Sequence, residues 1–492
     1  MNPLKKLLGQ TAIYGLSSIV GRLLNYLLVP LYTRYFTTSE YGDVTIMYAY
    51  AAFLLIILSY GLETAFFRFS QIEPNKRVVF STAFISLLFS SSFFVGLIYF
   101  NSQSIANALS FGQHPEYIQY FAFIIGLDTL SSIFFAKLRE NNQATRFALI
   151  RLLNIFINIG LNLLFIIYCP FAITNNLPTA DFIQGFYSPD FGIGYIFIAN
   201  LVATVVTFLM LLPEMSQFIW RFDKVLWRKM MVYALPLMVA GLAGITNETI
   251  DRILLQYLLP EDISASEIGL YSAFYKLSII MTLFVQTFRF AAEPFFFSQE
   301  KERNAKQIYA QIMKYFSIVT AFIFLSVMIY YDIVKQFIGS AFHDERGVVI
   351  VPILLLANLF LGLYYNLSVW YKLTEKTQYG AYMSMLGAAI TVIFNLALIP
   401  YLGFVGSAWA TLFCYFLMTV CSYFLGQKYY PIAYPLRRIS LYFSLMLGFY
   451  FLSIYLSLGM AVNTFFLIIY IVVVYVLEKP KKRVISNPQL FD

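Results

Sequence analysis

The chain has 492 residues, of which 60% are hydrophobic, 19% aromatic and only 12% charged, against roughly 25% charged in a soluble domain. It therefore reads as an all-α polytopic membrane protein. The net charge of +8 comes from 33 Lys and Arg scattered between apolar runs, which excludes a nucleic-acid surface. Cys169, Cys414 and Cys421 show no Cys-x-x-Cys spacing, and His114 and His343 stand alone. That pattern excludes a disulfide scaffold, a zinc site and histidine-based metal catalysis.

A bilayer core about 30 Å thick needs about 20 apolar residues of helix. Fourteen such runs are found, over residues 10–31, 42–67, 78–100, 117–136, 147–169, 191–213, 229–258, 268–292, 311–331, 348–370, 380–399, 404–425, 438–457 and 462–478. The first follows a short basic start, as a signal peptide would, but it is long, contains Arg22 and lacks a small-residue cleavage site. It is read as a retained span. Alternating the sides along the chain puts 25 Lys and Arg on the side of both termini and three, Arg34, Lys335 and Arg346, on the other. Short basic loops stay in the cytoplasm, so both termini are expected there.

The connection at 214–228 sets Phe218, Phe222, Val225 and Leu226 on one helical face and Arg221, Lys224 and Arg228 on another. This pattern predicts an amphipathic helix on the inner leaflet, with a plain basic linker as the alternative. Comparing its two sides reveals a repeat: Glu40-Tyr41-Gly42 returns as Glu267-Ile268-Gly269, an offset of 227, and the stretch Lys137 to Gln143 returns as Lys372 to Gln378, an offset of 235. Each repeat holds six spans, so both halves have one orientation and the axis relating them runs along the membrane normal. The expected organisation is a six-helix lobe over 1–213, the connection at 214–228, a second six-helix lobe over 229–425, an added helical hairpin over 426–479 and a tail over 480–492.

Several local patterns carry a wider resemblance: Gly15 to Arg22 followed by Pro30-Leu31-Tyr32-Thr33-Arg34, the step Tyr41-Gly42, Leu235-Pro236-Leu237, Gly269-Leu270-Tyr271 and Gly403-Phe404-Val405-Gly406. With them the chain resembles the Wzx-type oligosaccharide flippases of the multidrug/oligosaccharidyl-lipid/polysaccharide exporter superfamily, which also holds multidrug exporters and MurJ-type lipid II flippases. The resemblance covers the whole chain; its motifs are specific for the superfamily and weak for the substrate. It implies two lobes around a cavity that opens alternately to either side of a bacterial inner membrane. The implied cargo is an oligosaccharide on a polyprenyl diphosphate, such as an O-antigen unit of lipopolysaccharide, and polysaccharide assembly proteins are implied partners. MurJ-type relatives have basic residues in the first, second and eighth helices. Here the second span has none at mid-depth, which disfavours lipid II as cargo.

Ten charges fall inside the spans and sum to zero: Arg22, Arg151, Arg252, Lys276 and Arg289 against Glu63, Asp128, Glu248, Asp251 and Glu293. At about 3 kcal/mol each, ten unpaired charges would exceed a protein's net stability, so they must be paired, hydrated or near an interface. Glu248 with Arg252, and Arg289 with Glu293, are four residues apart and can neutralise each other. Arg151, Glu63, Arg289 and Glu293 are near enough to helix ends to reach headgroups. Arg22 and Lys276, one from each lobe, are the candidate diphosphate ligands; Asn25, Tyr271, Tyr275, Arg252, Asn154, Asn158 and Asn162 are further cavity candidates. Asp128 and Asp251 are candidates for coupling to H⁺ or Na⁺, since the chain has no Walker-type loop. A structural Arg22 to Asp128 bridge competes with these roles. Pro236, Gly241 and Gly244 mark the seventh span as a place for bending.

No cofactor, metal site or catalytic constellation is expected; the reading is a transporter and not an enzyme. A cation-coupled multidrug exporter would need a net acidic pocket, and a membrane polysaccharide polymerase would need catalytic residues on a substantial outside loop. Single cysteines at Thr38, Ser188 and Ser264 should be labelled by an impermeant reagent from outside intact cells, and those at Asn75, Ser216 and Ser486 should not. Labelling at position 486 would mean that a span has been miscounted.

Overall fold

The computed structural model describes residues 20–21, 23–300, 302–456 and 459–479. Among them thirteen helices are long and apolar enough to cross a membrane, and they coincide with the second to fourteenth expected spans. Most of the first span lies outside the described residues, which take it up at residue 20 and end it in α1 (Leu28–Tyr35). The first lobe continues with α2 (Thr38–Ser59), α3 (Leu62–Ile72), α4 (Lys76–Phe100), α5 (Pro115–Glu140), α6 (Ala144–Leu163) and α7 (Gly194–Leu211). The second contains α8 (Lys224–Leu258), α9 (Glu261–Leu277), α10 (Ile279–Gln299), α11 (Ala305–Ile329), α12 (Gly347–Leu367), α13 (Gln378–Leu402) and α14 (Phe404–Tyr429). The hairpin is α15 (Leu436–Tyr455) and α16 (Met460–Glu478), held to α11 where Glu478 accepts from Lys314, Arg438 and Tyr442.

Helix starts follow local chemistry. Thr37 and Glu40 form a reciprocal capping box on α2, and the Asn75 side chain accepts from the Val78 N–H of α4, so donors with no partner inside the helix find one at its start. The second span breaks at Tyr60 and Gly61, both at positive φ. A Cβ at Gly61 would stand 2.7 Å from the Ala234 carbonyl oxygen of α8, so this crossing needs glycine.

Three expectations are corrected. Residues 214–228 do not form one amphipathic helix: Leu212–Gln217 is a 3₁₀ turn and the chain runs without regular structure until Lys224. The cause is competition for backbone donors. The N–H groups of Ile219 and Asp223 go to Ser81 and Thr82 of α4, and the Asp223 carboxylate caps Val225 and Leu226, which starts α8 there. Nor do Pro236, Gly241 and Gly244 interrupt the seventh span, since α8 runs unbroken for 35 residues. The break lies instead in the eighth span at Ser278, whose hydroxyl donates to the Tyr275 carbonyl. Finally, the same-helix partners change. Arg252 pairs with Asp251, Glu293 with Lys372, and Arg289 lies 4.4 Å from the centre of the Tyr365 ring.

At the end bearing few basic residues the lobes share one apolar core, in which Val29, Tyr41 and Val44 of the first meet Ile268, Phe274 and Phe342 of the second. At the basic end the cores are separate, one around Phe66, Phe80 and Phe134 and another around Phe296, Tyr309 and Ile432. Only the first turns of α8, through Leu226, Met230 and Ala234, join the former. The closed end is built on the repeated glycines. A Cβ on Gly42 would stand 1.8 Å from the carbonyl oxygen of Ala265, and one on Gly269 would stand 1.8 Å from that of Thr38. Each glycine thus faces the carbonyl four residues before the other, and α2 and α9 cross in backbone contact. Beside the crossing the hydroxyls of Thr38 and Ser266 are 2.7 Å apart, the Gly339 N–H donates to Thr33, and Tyr26 stacks on Phe337 at 4.3 Å. Nearby, Arg346 holds Glu267 in a bidentate pair, and its hydrogen bonds keep the Asp344 carboxyl below the usual range. That contribution to stability is present at neutral pH and is lost as pH falls through the lowered value.

Thr38 and Ser264 lie against this contact and Ser188 is exposed, so position 188 is the informative labelling site. Replacing Gly42 or Gly269 with Val should force the crossing apart, since neither backbone carbonyl can retreat. In a protein lacking the three native cysteines, a cysteine at Thr45 should then become reactive to impermeant maleimide from the sparsely basic side. Unchanged protection of position 45 would contradict the role given to the glycines.

Candidate functional site

Directly beneath the closed end lies a cavity of about 420 Å³ between the lobes. The first lobe contributes Asn25 and Tyr32, Thr45 and Tyr48 of α2, Asn154 and Asn158 of α6 and Asn200 of α7; the second contributes Thr249 and Arg252 of α8 with Ser272 and Lys276 of α9. No carboxylate is among its described lining residues.

The polar wall of α6 follows from helical spacing. Arg151, Asn154 and Asn158 are three and four residues apart, which puts them on one face. Asn154 donates to Thr207 at 2.9 Å, Asn162 donates to the Asn158 carboxamide at 2.7 Å, and Tyr32 donates to Asn162 at 3.0 Å. Across the cavity Asn200 donates to the Tyr48 hydroxyl at 2.9 Å. Buried and half-buried amides and hydroxyls therefore bond one another along the wall, so that polar groups inside an apolar protein find partners.

The charges are arranged unequally. Arg252 is buried and bonds Asp251 at 2.8 Å, the Glu248 carbonyl at 2.8 Å and the face of Tyr275 at 4.7 Å. Asp251 also accepts from Tyr271 at 2.6 Å, so this carboxylate already has two strong donors. Lys276 reaches the same cavity, yet among the described residues no carboxylate pairs with it. An uncompensated ammonium in a low-dielectric setting is costly unless an anion or water meets it.

The expected site residues are thus only partly brought together. Lys276, Asn25, Arg252, Asn154 and Asn158 line one cavity, and Asn162 supports its edge. Arg22 lies outside the described residues, and with it the expected bridge to Asp128. Asp128 faces Arg151 and Thr204. Tyr271 is fully buried behind the wall, engaged with Asp251, and Tyr275 stands between Arg252 and the pair Glu248 and Tyr365. Arg151 was assigned to the headgroup region because of its place near a helix end, yet it lies 4.3 Å from the centre of the Phe135 ring and beside Asp128.

The fold and this site can be set beside known proteins. The structure of the lipid II flippase MurJ in an inward closed conformation is similar at a TM-score of 0.71 and 13% identity, covering 94% of this chain and 98% of that one. A multidrug resistance MATE family transporter of the MOP superfamily is similar in its inward-facing conformation, with a TM-score of 0.63, 12% identity and 88% and 95% coverage. Its outward-facing conformation gives 0.60, 13% identity and 88% and 96% coverage. At these identities the likeness is one of fold. No curated protein matches. Residues 7–298 match the family model described as polysaccharide biosynthesis protein, more than half of the chain, and the chain belongs to that family.

Proposed function

We propose that the protein is a flippase that moves a polyprenyl-diphosphate-linked oligosaccharide, a unit of O-antigen or another surface polysaccharide, from the inner to the outer leaflet of the bacterial inner membrane by alternating access. The observation that carries this reading is Lys276, a cation with no carboxylate partner among the described residues, set beside Arg252 in a polar cavity between the two lobes. A diphosphate supplies the missing negative charge, and the asparagines and tyrosines around it supply donors and acceptors for sugars. Lys276 acts as a mobile point charge that can bind and release. Arg22, from the opposite lobe, is proposed to share the diphosphate. The separate apolar cores at the basic end support opening of the cavity toward that side, which by the charge count is cytoplasmic, and cargo is proposed to load from there. Both termini then lie in the cytoplasm.

Proton or sodium coupling is part of the proposal, with Asp128 the better-placed group. Asp251 is already held by Arg252 and Tyr271. An exporter of cationic drugs is disfavoured by a cavity lined with Arg252 and Lys276 and no described acid. Lipid II remains disfavoured by the missing basic residue of the second span. A fold shared with flippases and transporters over 88 to 94% of the chain supports a non-enzymatic role, and polysaccharide assembly proteins are proposed partners.

In vesicles containing the purified protein, a labelled polyprenyl-diphosphate oligosaccharide should cross only with protein present. Lys276→Gln should lower the rate at least about tenfold, the scale of one charge-assisted contact of about 1.4 kcal/mol or more, while Lys276→Arg should retain a substantial part. Collapsing the proton and sodium gradients should slow transport in the parent. Full transport by Lys276→Gln would remove the diphosphate role, and full transport without gradients would remove the coupling.

A further inference from the structure

A second cavity, of about 380 Å³, lies inside the second lobe among α8, α10, α12, α13 and α14. Its volume falls within the range of roughly 300–1,000 Å³ usual for small-molecule sites, but its walls are polar. Tyr364, Tyr365, Tyr371 and Tyr415 supply rings with hydroxyl tips, and Glu248, Arg289 and Lys372 supply charges of both signs. The groups around it are fixed. Arg289 lies over Tyr365 at 4.4 Å, Lys372 pairs with Glu293 at 2.8 Å, and the Asn247 amide donates to the Ser384 carbonyl at 3.3 Å.

This chemistry suits a glycan. Sugar hydroxyls both donate and accept, so they match a wall that mixes carboxylate, guanidinium, ammonium and phenol, and the apolar C–H face of a pyranose matches a tyrosine ring. An isolated metal ion or a hydrophobic drug would leave most of these groups unused.

Glu248 lines this cavity and Arg252 lines the central one; they are four residues apart on α8, which is about 6 Å along the helix. Tyr275 stands between them, near Arg252 on one side and Glu248 and Tyr365 on the other. In a glycosyl diphosphate the first sugar is bonded directly to phosphate. With the diphosphate at Arg252 and Lys276, the sugars nearest it therefore fall within reach of the second cavity. We infer that this cavity of the second lobe is a glycan-binding compartment, which receives the sugars proximal to the diphosphate while the central cavity holds the diphosphate itself. The inference rests on the proposed function, and it locates the part of the site that reads sugar identity.

The test compares two probes on the full-length protein in detergent: a short prenyl diphosphate without sugar, and the same prenyl diphosphate bearing a trisaccharide. Ser384→Leu fills the cavity from α13, and Arg289→Gln removes a charge from its wall; neither residue lines the central cavity. Parent protein should bind the glycosylated probe roughly tenfold or more tightly than the bare one. Both variants should lose that difference while binding the bare probe as the parent does, which also shows that they are folded. Equal weakening of both probes by the variants, or an undiminished preference for the trisaccharide, would overturn the compartment. Parent protein that binds the bare probe with no gain from the sugars would overturn it alone, whereas parent protein that binds neither probe would overturn the diphosphate site as well.

Discussion

The architecture depends on one backbone contact, the crossing of α2 and α9 at Gly42 and Gly269. Each glycine leaves room for the carbonyl oxygen four residues ahead of the other, and any side chain there would overlap it. Because the contact is reciprocal, two copies of one sequence step, Glu-x-Gly, close on each other across the axis that relates the lobes. Van der Waals contact between backbones, together with hydroxyl bonds such as Thr38 to Ser266, replaces the hydrophobic driving force that is missing between helices in lipid. Such an interface can form and separate without exposing a charge to the bilayer. The lobes share a large apolar core at this end, whereas at the other end only the first turns of α8 join the first lobe's core among the described residues.

Charge inside the membrane is the second constraint, and it sorts the ionisable groups. Near the basic end pairs form between helices: Lys76 with Glu140, Arg139 with Glu63, and Arg146 with Glu214. Deeper, Arg252 and Asp251 neutralise each other and enlist Tyr271. Among the described residues Lys276 stays outside this scheme, as the binding role proposed for it requires. A buried ion pair contributes little net stability, but a cation left without a carboxylate in a cavity keeps its full attraction for an incoming anion.

The helices, their number and the two-lobe plan were legible in the sequence, because apolar length and the placing of Lys and Arg are read by the bilayer itself. Lys276, Arg252 and the asparagines of α6 were legible as cavity residues for a related reason, since polar groups at mid-depth have few other places to go. What failed was partnership. Same-helix spacing suggested Glu248 for Arg252 and Arg289 for Glu293, but Arg252 pairs with its chain neighbour Asp251, and tertiary packing brings Lys372 to Glu293 and Tyr365 to Arg289. The helix expected at 214–228 lost its backbone donors to Ser81 and Thr82, and hydrophobic periodicity contains no term for that competition. The glycine crossing was visible as a repeated Tyr-Gly or Ile-Gly step, but its meaning needed both helices in place. Arg151, placed near a helix end by the sequence, also lies over the Phe135 ring and beside Asp128, contacts between helices that spacing along one helix does not show.

Alternating access built on the glycine crossing can be tested by locking it. Cysteines at Thr38 and Ser266, whose hydroxyls are 2.7 Å apart, place their β-carbons within reach of a disulfide. In vesicles with a labelled polyprenyl-diphosphate oligosaccharide, oxidation of this pair should stop transport and reduction should restore it, while either single cysteine should respond to neither treatment. Undiminished transport with the disulfide formed would contradict the account, because cargo would then cross without the lobes ever parting at that end.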